Sequence, residues 1–245
     1  MEIRDKVALI AGGARIGQTV AEVLARRGCH IALTYRTSKK MAEDAVRKAR
    51  ALGVNALAIQ TDLQREEDNQ KVPSEVAKVL GRLDILIYMA SLYQKTPIES
   101  LTIRIWEEHL GADLRSAYLL ALNTAPMMKQ QRAGRIILFS DWIAASGRPH
   151  LKEYMPYYVS KHGVIGLTEG LALEWAPEIL VNAIAPGPIL KPDGLSSQEE
   201  TEIKKMTPLR RWGGSLEIAK TVLFLIETDF ITGECIRVDG GRHLY

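Results

Sequence analysis

Seven short apolar runs punctuate the chain, at residues 7–11, 31–34, 56–60, 85–89, 136–140, 181–185 and 235–238. Each is four or five residues long and rich in Val, Ile, Leu and Ala, the pattern of strands covered on both faces. Between them, residues 18–27, 39–52, 66–80, 103–128, 157–175 and 216–227 carry apolar side chains three and four apart, which predicts helices. Strand and helix alternating this often predict an α/β protein: a doubly wound parallel sheet with right-handed crossovers, whose ligands lie at the carboxyl ends of the strands. No Pro/Gly/Ser-rich or single-charge stretch interrupts the 245 residues as a linker would, so one domain is expected.

Composition narrows the function classes. With 47% hydrophobic and 25% charged residues the chain reads as an ordinary globular protein. The net charge of +3 is small, and Lys and Arg are interspersed with Glu and Asp, which argues against nucleic acid as the main partner. The charged start, Met1 to Lys6, runs straight into an apolar strand and leaves no room for a signal peptide. No apolar run approaches the roughly 18 residues of a membrane span, so a cytoplasmic protein without membrane contact is expected. Cys29 and Cys235 sit in apolar contexts outside any CxxC pair and read as small core residues; no metal site is expected.

Candidate chemistry falls at strand ends. The first strand ends in Ala11-Gly12-Gly13-Ala14-Arg15-Ile16-Gly17 with a helix directly after it. Glycines there permit a tight turn and let backbone N–H groups approach a pyrophosphate at a positive helix end. About 20 residues on, where a fold that binds NAD would place an acid for the ribose 2′-hydroxyl, the chain reads Thr34-Tyr35-Arg36-Thr37-Ser38. Arg36 can instead pair with a 2′-phosphate, with Thr37 and Ser38 as hydroxyl donors and Arg15 a second cation, which favours NADP(H) over NAD(H). Asp62, after the third strand, can accept from an adenine amino group or cap a helix. Tyr157 and Lys161 stand four apart, on one helical face, so an ammonium lies beside a phenol and can pull its pKa toward the working range of an acid–base catalyst. Ser140 and Asp141, at the end of the fifth strand, are placed to complete a proton-handling site.

These pieces together resemble the short-chain dehydrogenase/reductase family over essentially the whole chain. They are Gly12 to Gly17, Asp62-Leu63, Tyr157-x-x-x-Lys161, Val181-Asn182-Ala183-Ile184-Ala185-Pro186-Gly187, and Thr232-Gly233-Glu234 through Val238-Asp239-Gly240-Gly241. The resemblance implies a Rossmann-type nicotinamide-dependent oxidoreductase in which the tyrosine transfers a proton and the lysine holds the nicotinamide ribose. It implies cofactor contacts at Gly12, Arg15, Ile16, Gly17, Tyr35, Arg36, Thr37, Ser38, Asp62, Leu63, Ala90, Ser91, Lys161, Pro186, Gly187 and Ile189. Four departures stand out. The glycine loop is one residue short and carries Arg15, and the segment after strand four reads Tyr88-Met89-Ala90-Ser91. Asp113 replaces the helical asparagine expected seven residues after Trp106, and Asp141 stands where the catalytic serine normally does.

Arg15, Ser91 with Tyr93, Tyr35-Arg36-Thr37, Asp141 and the tail Asp239-Gly240-Gly241-Arg242-His243-Leu244 are similar to the pteridine reductase branch, including the dihydromonapterin and dihydrofolate reductases. That likeness implies a pterin-like substrate held by Arg15, Ser91 and Tyr93, with Asp141, Tyr157 and Lys161 as the catalytic group. The sixteen residues from Asp141 to Tyr157 exceed the family spacing by about three, so residues 142–156 must loop out, and Ser140 or Ser146 remains an alternative to Asp141. A carbonyl reductase of 3-oxoacyl thioester or sugar type, with Ser140 as the serine, is the second functional reading. A nucleotide-binding protein without activity is the third. The segment 187–207 has the position of a substrate lid or a surface loop. Trp142 and Trp212 read as pocket or core aromatics. The family implies a homotetramer, with contacts through the helices at 103–128 and 157–175 and with Arg242, His243 and Tyr245 within reach of a neighbour.

Overall fold

The computed structural model describes residues 1–147 and 152–245. Seven strands form one parallel sheet: β1 (Val7–Ala11), β2 (His30–Tyr35), β3 (Ala56–Gln60), β4 (Ile85–Tyr88), β5 (Gly134–Phe139), β6 (Ile179–Pro186) and β7 (Cys235–Val238), in the order β3-β2-β1-β4-β5-β6-β7. The helices are α1 (Ala14–Arg26), α2 (Lys39–Ala51), α3 (Glu66–Leu80), α4 (Ile103–Leu110), α5 (Ser116–Gln130), α6 (Trp142–Ser146), α7 (Met155–Trp175), α8 (Ser197–Lys205) and α9 (Ser215–Glu227).

Every residue of β1 and β5 is buried, because helices cover both faces of the sheet. Alternate strand residues feed two separate cores. Ile10, Ile31 and Ile87 pack with Val20, Leu24, Val46 and Val222 of α1, α2 and α9. Leu9, Leu86 and Leu138 pack with Val76, Leu120, Met128 and Trp175 of α3, α5 and α7. β1 pairs with both β2 and β4, so the winding reverses beside it and opens a crevice at the strands' carboxyl ends.

Three elements differ from the sequence pattern. α1 begins at Ala14, directly on the glycine turn, four residues before the apolar periodicity starts. The single helix expected at 103–128 is α4, one π-helical turn (Gly111–Arg115) and α5. Widening the helix frees carbonyls, and side chains take them: Tyr88 Oη donates to Ala112 O at 2.7 Å and Ser116 Oγ to Gly111 O at 2.5 Å. The stretch expected to loop out after Asp141 opens as the short helix α6; its middle, residues 148–151, lies outside the described residues. Inside the 187–207 segment, Ser196 and Glu199 form a reciprocal capping box that starts the polar helix α8. Among the described residues no helix is long and apolar enough to cross a membrane.

Candidate active site

The turn between β1 and α1 shapes one side of a cavity at the strands' carboxyl ends. Gly12 has φ +77°, and a Cβ there would lie 2.5 Å from Ala90 Cα. The chain leaving β4 therefore passes hard against the loop, and only glycine fits. Gly13, with φ +70°, is the N-cap of α1 and brings no side-chain cap, so side chains leave the helix's first N–H groups unclaimed. This turn lines a cavity of about 570 Å³. Gly12, Gly17, Tyr35, Arg36, Thr37, Ser38, Asp62, Leu63, Ala90 and Ser91 all border it.

Arg36 is exposed at the rim and meets no carboxylate among the described residues. Asp62 accepts from Gln64 N at 3.1 Å, an Asx turn ahead of α3; the N-cap itself is Arg65, so Asp62 is not the helix cap. Arg15 turns away from the cavity: its Nη1 donates to Lys191 O at 3.4 Å and lies 4.0 Å from Asp193. Ile16, Pro186, Gly187 and Ile189 do not border the cavity either. Ile189 is a buried core residue, and Gly187 lets β6 and β7 close together, since a Cβ there would sit 2.5 Å from that of Asp239.

The proton-handling residues converge at the ends of β5 and α7. Asp141 is the N-cap of α6, its Oδ1 accepting from Ile143 N at 2.9 Å. Its other oxygen accepts the Tyr157 hydroxyl at 2.7 Å. Lys161 Nζ donates to Phe139 O at 2.9 Å and lies 5.7 Å from the Tyr157 ring centroid, over its face. Ser140 is buried and donates to Lys161 O at 2.8 Å, which fixes β5 to α7 and turns its hydroxyl into the core. Ser146, at the end of α6, donates to Ile143 O at 2.9 Å. Of the three alternatives, only Asp141 meets Tyr157.

Electrostatics set the direction of the tyrosine's shift, which spacing alone leaves open. Burial first, and then the charge and hydrogen bond of Asp141, push the Tyr157 phenol well above the usual tyrosine range, rather than Lys161 making it acidic. Asp141 is raised as well, by its own burial, against the bonds from Ile143 N and Tyr157 and the charge of Lys161, which lower it. The pair therefore keeps the proton on the phenol, hydrogen-bonded to Asp141.

Asp113 stands in the π turn, buried, where it accepts from Leu92 N at 2.7 Å and from Ser160 Oγ at 2.9 Å. It joins the β4 extension to α7 directly behind Tyr157. Tyr93, expected to stack on substrate, lies flat on Tyr154 (centroids 4.7 Å apart, planes 19°) and edge-on to Tyr157 (4.9 Å, 81°). Tyr154, the N-cap of α7, is not singled out by the sequence; its place three residues before Tyr157 is the available signal. Trp142 packs under Arg242, whose guanidinium lies 5.3 Å from its ring centroid, and the indole N–H of Trp212 is buried without a partner among the described residues.

A seven-stranded parallel sheet with a glycine turn at its switch point and a Tyr–Lys pair at the neighbouring strand end is the architecture of a nicotinamide-dependent oxidoreductase. Residues 10–243 match the family described as Enoyl-(Acyl carrier protein) reductase. The chain is 34% identical to the 3-oxoacyl-[acyl-carrier-protein] reductase FabG of Staphylococcus aureus over 98% of both chains. It superposes on a short-chain dehydrogenase/reductase from Serratia marcescens with TM-score 0.90 and 28% identity, over 99% of this chain and 100% of that one. It superposes equally well, with TM-score 0.90 and 29% identity over 100% and 97%, on FolM alternative dihydrofolate reductase 1 from Brucella canis, a complex with NADP. The chain belongs to the short-chain dehydrogenase/reductase family.

Proposed function

We propose that this enzyme is an NADP(H)-dependent reductase of a pterin or dihydrofolate-type substrate. The observation that carries the reading is Asp141, in the position of the family's serine, bonded at 2.7 Å to Tyr157 while Ser140 is turned into the core. A serine there would donate to a substrate carbonyl; an aspartate that accepts from the tyrosine instead serves proton delivery to a ring nitrogen. Arg36 at the cavity rim, which meets no carboxylate among the described residues, favours the 2′-phosphate of NADP(H), the cofactor of the FolM complex.

When bound, the dinucleotide supplies the hydride to carbon. The glycine turn and the N-terminus of α1 would hold its pyrophosphate, and Arg36 its 2′-phosphate. Tyr157 Oη gives its proton to the nitrogen of the reduced C=N bond, Lys161 offsets the phenolate left behind, and Asp141, with its raised affinity for a proton, takes one from solvent and passes it to Tyr157. Tyr93 and Tyr154 offer the aromatic face for a flat substrate. Arg15, holding Lys191 O, ties the 187–207 segment over the glycine turn as a lid. Tyr118 and Leu122 on α5 and Val159 on α7 are exposed apolar residues suited to helix contacts in a homotetramer, which sedimentation would check; a monomer would remove that part.

Reduction of a 3-oxoacyl thioester is the second reading, and the full-length likeness to FabG favours it. NADPH oxidation measured with dihydropterin, dihydrofolate and an acetoacetyl thioester under one set of conditions separates the two. Turnover of the thioester alone would overturn the pterin reading.

A further inference from the structure

Asp141 can serve Tyr157 only if α6 is held in place, and α6 is one of the least self-sufficient elements in the molecule. It has five residues, far fewer than a helix needs to persist on its own. Its N-cap is Asp141 itself: Oδ1 takes Ile143 N, and that bond sets the plane of the carboxylate and so the direction in which Oδ2 meets Tyr157. Any rotation of α6 is a rotation of that oxygen.

Two arginines from the C-terminal segment hold α6 at its two ends. Arg237, on β7, donates from Nη1 to Ala145 O at 2.9 Å, taking one of the carbonyls that a helix end leaves without an internal partner. Arg242 lies over the indole of Trp142, the first residue of α6, 5.3 Å from the ring centroid. The Arg242 turn is itself built around Asp239, whose carboxylate accepts from Gly241 N and His243 N, both at 3.0 Å, and pairs with His243 Nδ1 at 2.7 Å. The Nη1 of Arg242 is buried with no hydrogen-bond partner among the described residues. That nitrogen gives up hydration without regaining it in a hydrogen bond, and the guanidinium's contact on this side is with the indole of Trp142.

We propose that Arg242 is a positioning residue for proton delivery, acting through Trp142 and α6 to aim Asp141 Oδ2 at Tyr157, with Arg237 fixing the far end of the same helix. The inference rests on the reading that Asp141 serves Tyr157 in catalysis, but not on which substrate is reduced.

The test compares Arg242→Met, Arg242→Lys, Arg237→Met and Asp141→Asn in the full chain, each with its melting temperature, NADPH affinity and kcat–pH profile. Arg242→Met should lower kcat on the order of tenfold or more, as misplacement of a catalytic group by a fraction of an ångström does, with NADPH affinity unchanged. Its kcat–pH profile should shift toward that of Asp141→Asn, and Arg242→Lys, which keeps a cation over the ring, should recover most of the loss. A crystal structure of Arg242→Met should show the Asp141–Tyr157 hydrogen bond broken or lengthened; this reads the proposal without turnover. If Arg242→Met does not fold, Arg237→Met carries the same comparison. Asp141→Asn slow and Arg242→Met (or Arg237→Met in its place) unchanged in kcat, profile and geometry would overturn the inference while leaving the catalytic aspartate standing. Asp141→Asn with parental kcat would overturn both.

Discussion

At Asp141 one carboxylate does two things: it caps α6 through Ile143 N and accepts the hydroxyl of Tyr157. The second is obtained against the cost of burying a charge, which raises its pKa above the ordinary 3.8. Because the folded state then binds more protons than the unfolded chain between 3.8 and the raised native value, this group's contribution makes stability fall as pH rises through that window. Asp141→Asn keeps a good N-cap and removes the buried charge. It should therefore melt higher than the parent at neutral pH, with the advantage shrinking toward about pH 4, and yet turn over more slowly. Melting curves across pH check this; a variant that melts lower at neutral pH would mean that the carboxylate is stabilising. Tyr157→Phe removes the proton itself and should cost on the order of 10² or more in kcat with NADPH still bound, which single-turnover assays would read. Arg36→Ala removes the one cation proposed for the 2′-phosphate. It should raise the KM for NADPH by about 10- to 100-fold, the worth of a charge-assisted hydrogen bond, and leave that for NADH nearly unchanged.

The glycine turn shows how an element's geometry is set by its neighbour. Gly12→Ala would face Ala90 at 2.5 Å in a backbone conformation with φ +77°, so it should lose more than about 1 kcal/mol of stability and most of its NADPH affinity. Denaturant unfolding and cofactor titration would measure both, and unaltered binding would contradict the assignment of this turn to the pyrophosphate. The strands were legible in the sequence because helices bury them on both sides, which leaves uninterrupted apolar runs such as Val7–Ala11 and Ile85–Tyr88. The break between α4 and α5 was not, because the π turn depends on Tyr88 and Ser116 reaching carbonyls across space. Nor was α6, since five residues carry no periodicity. At the site, spacing and residue type single out Tyr157 and Lys161, whereas Asp141 enters through the family resemblance, with Ser140 and Ser146 as alternatives. The direction of the tyrosine's shift could not be read there, because it depends on how deeply the phenol is buried and on which of Asp141 and Lys161 reaches its oxygen.

For the molecule as a whole, the cavity sits where α1, α2 and the loops after β1, β2, β3 and β4 meet, so a bound dinucleotide would contact all of these elements at once. A ligand that binds the folded chain and not the unfolded one adds RT ln(1 + [L]/Kd), about 2.7 kcal/mol at a hundred times Kd. For a domain of this size each kcal/mol moves the midpoint by roughly 2–4 °C, which gives an increase of about 5–10 °C. NADPH at such a concentration should therefore raise the melting temperature by that amount, and NADH at the same concentration by clearly less, because only NADPH presents a phosphate to Arg36. In Arg36→Ala the gap between the two cofactors should close while the unliganded melting temperature stays put, since Arg36 is exposed and pairs with no carboxylate among the described residues. Equal stabilisation of the parent by both cofactors would transfer the preference away from Arg36 and make the enzyme one that does not distinguish the 2′-phosphate.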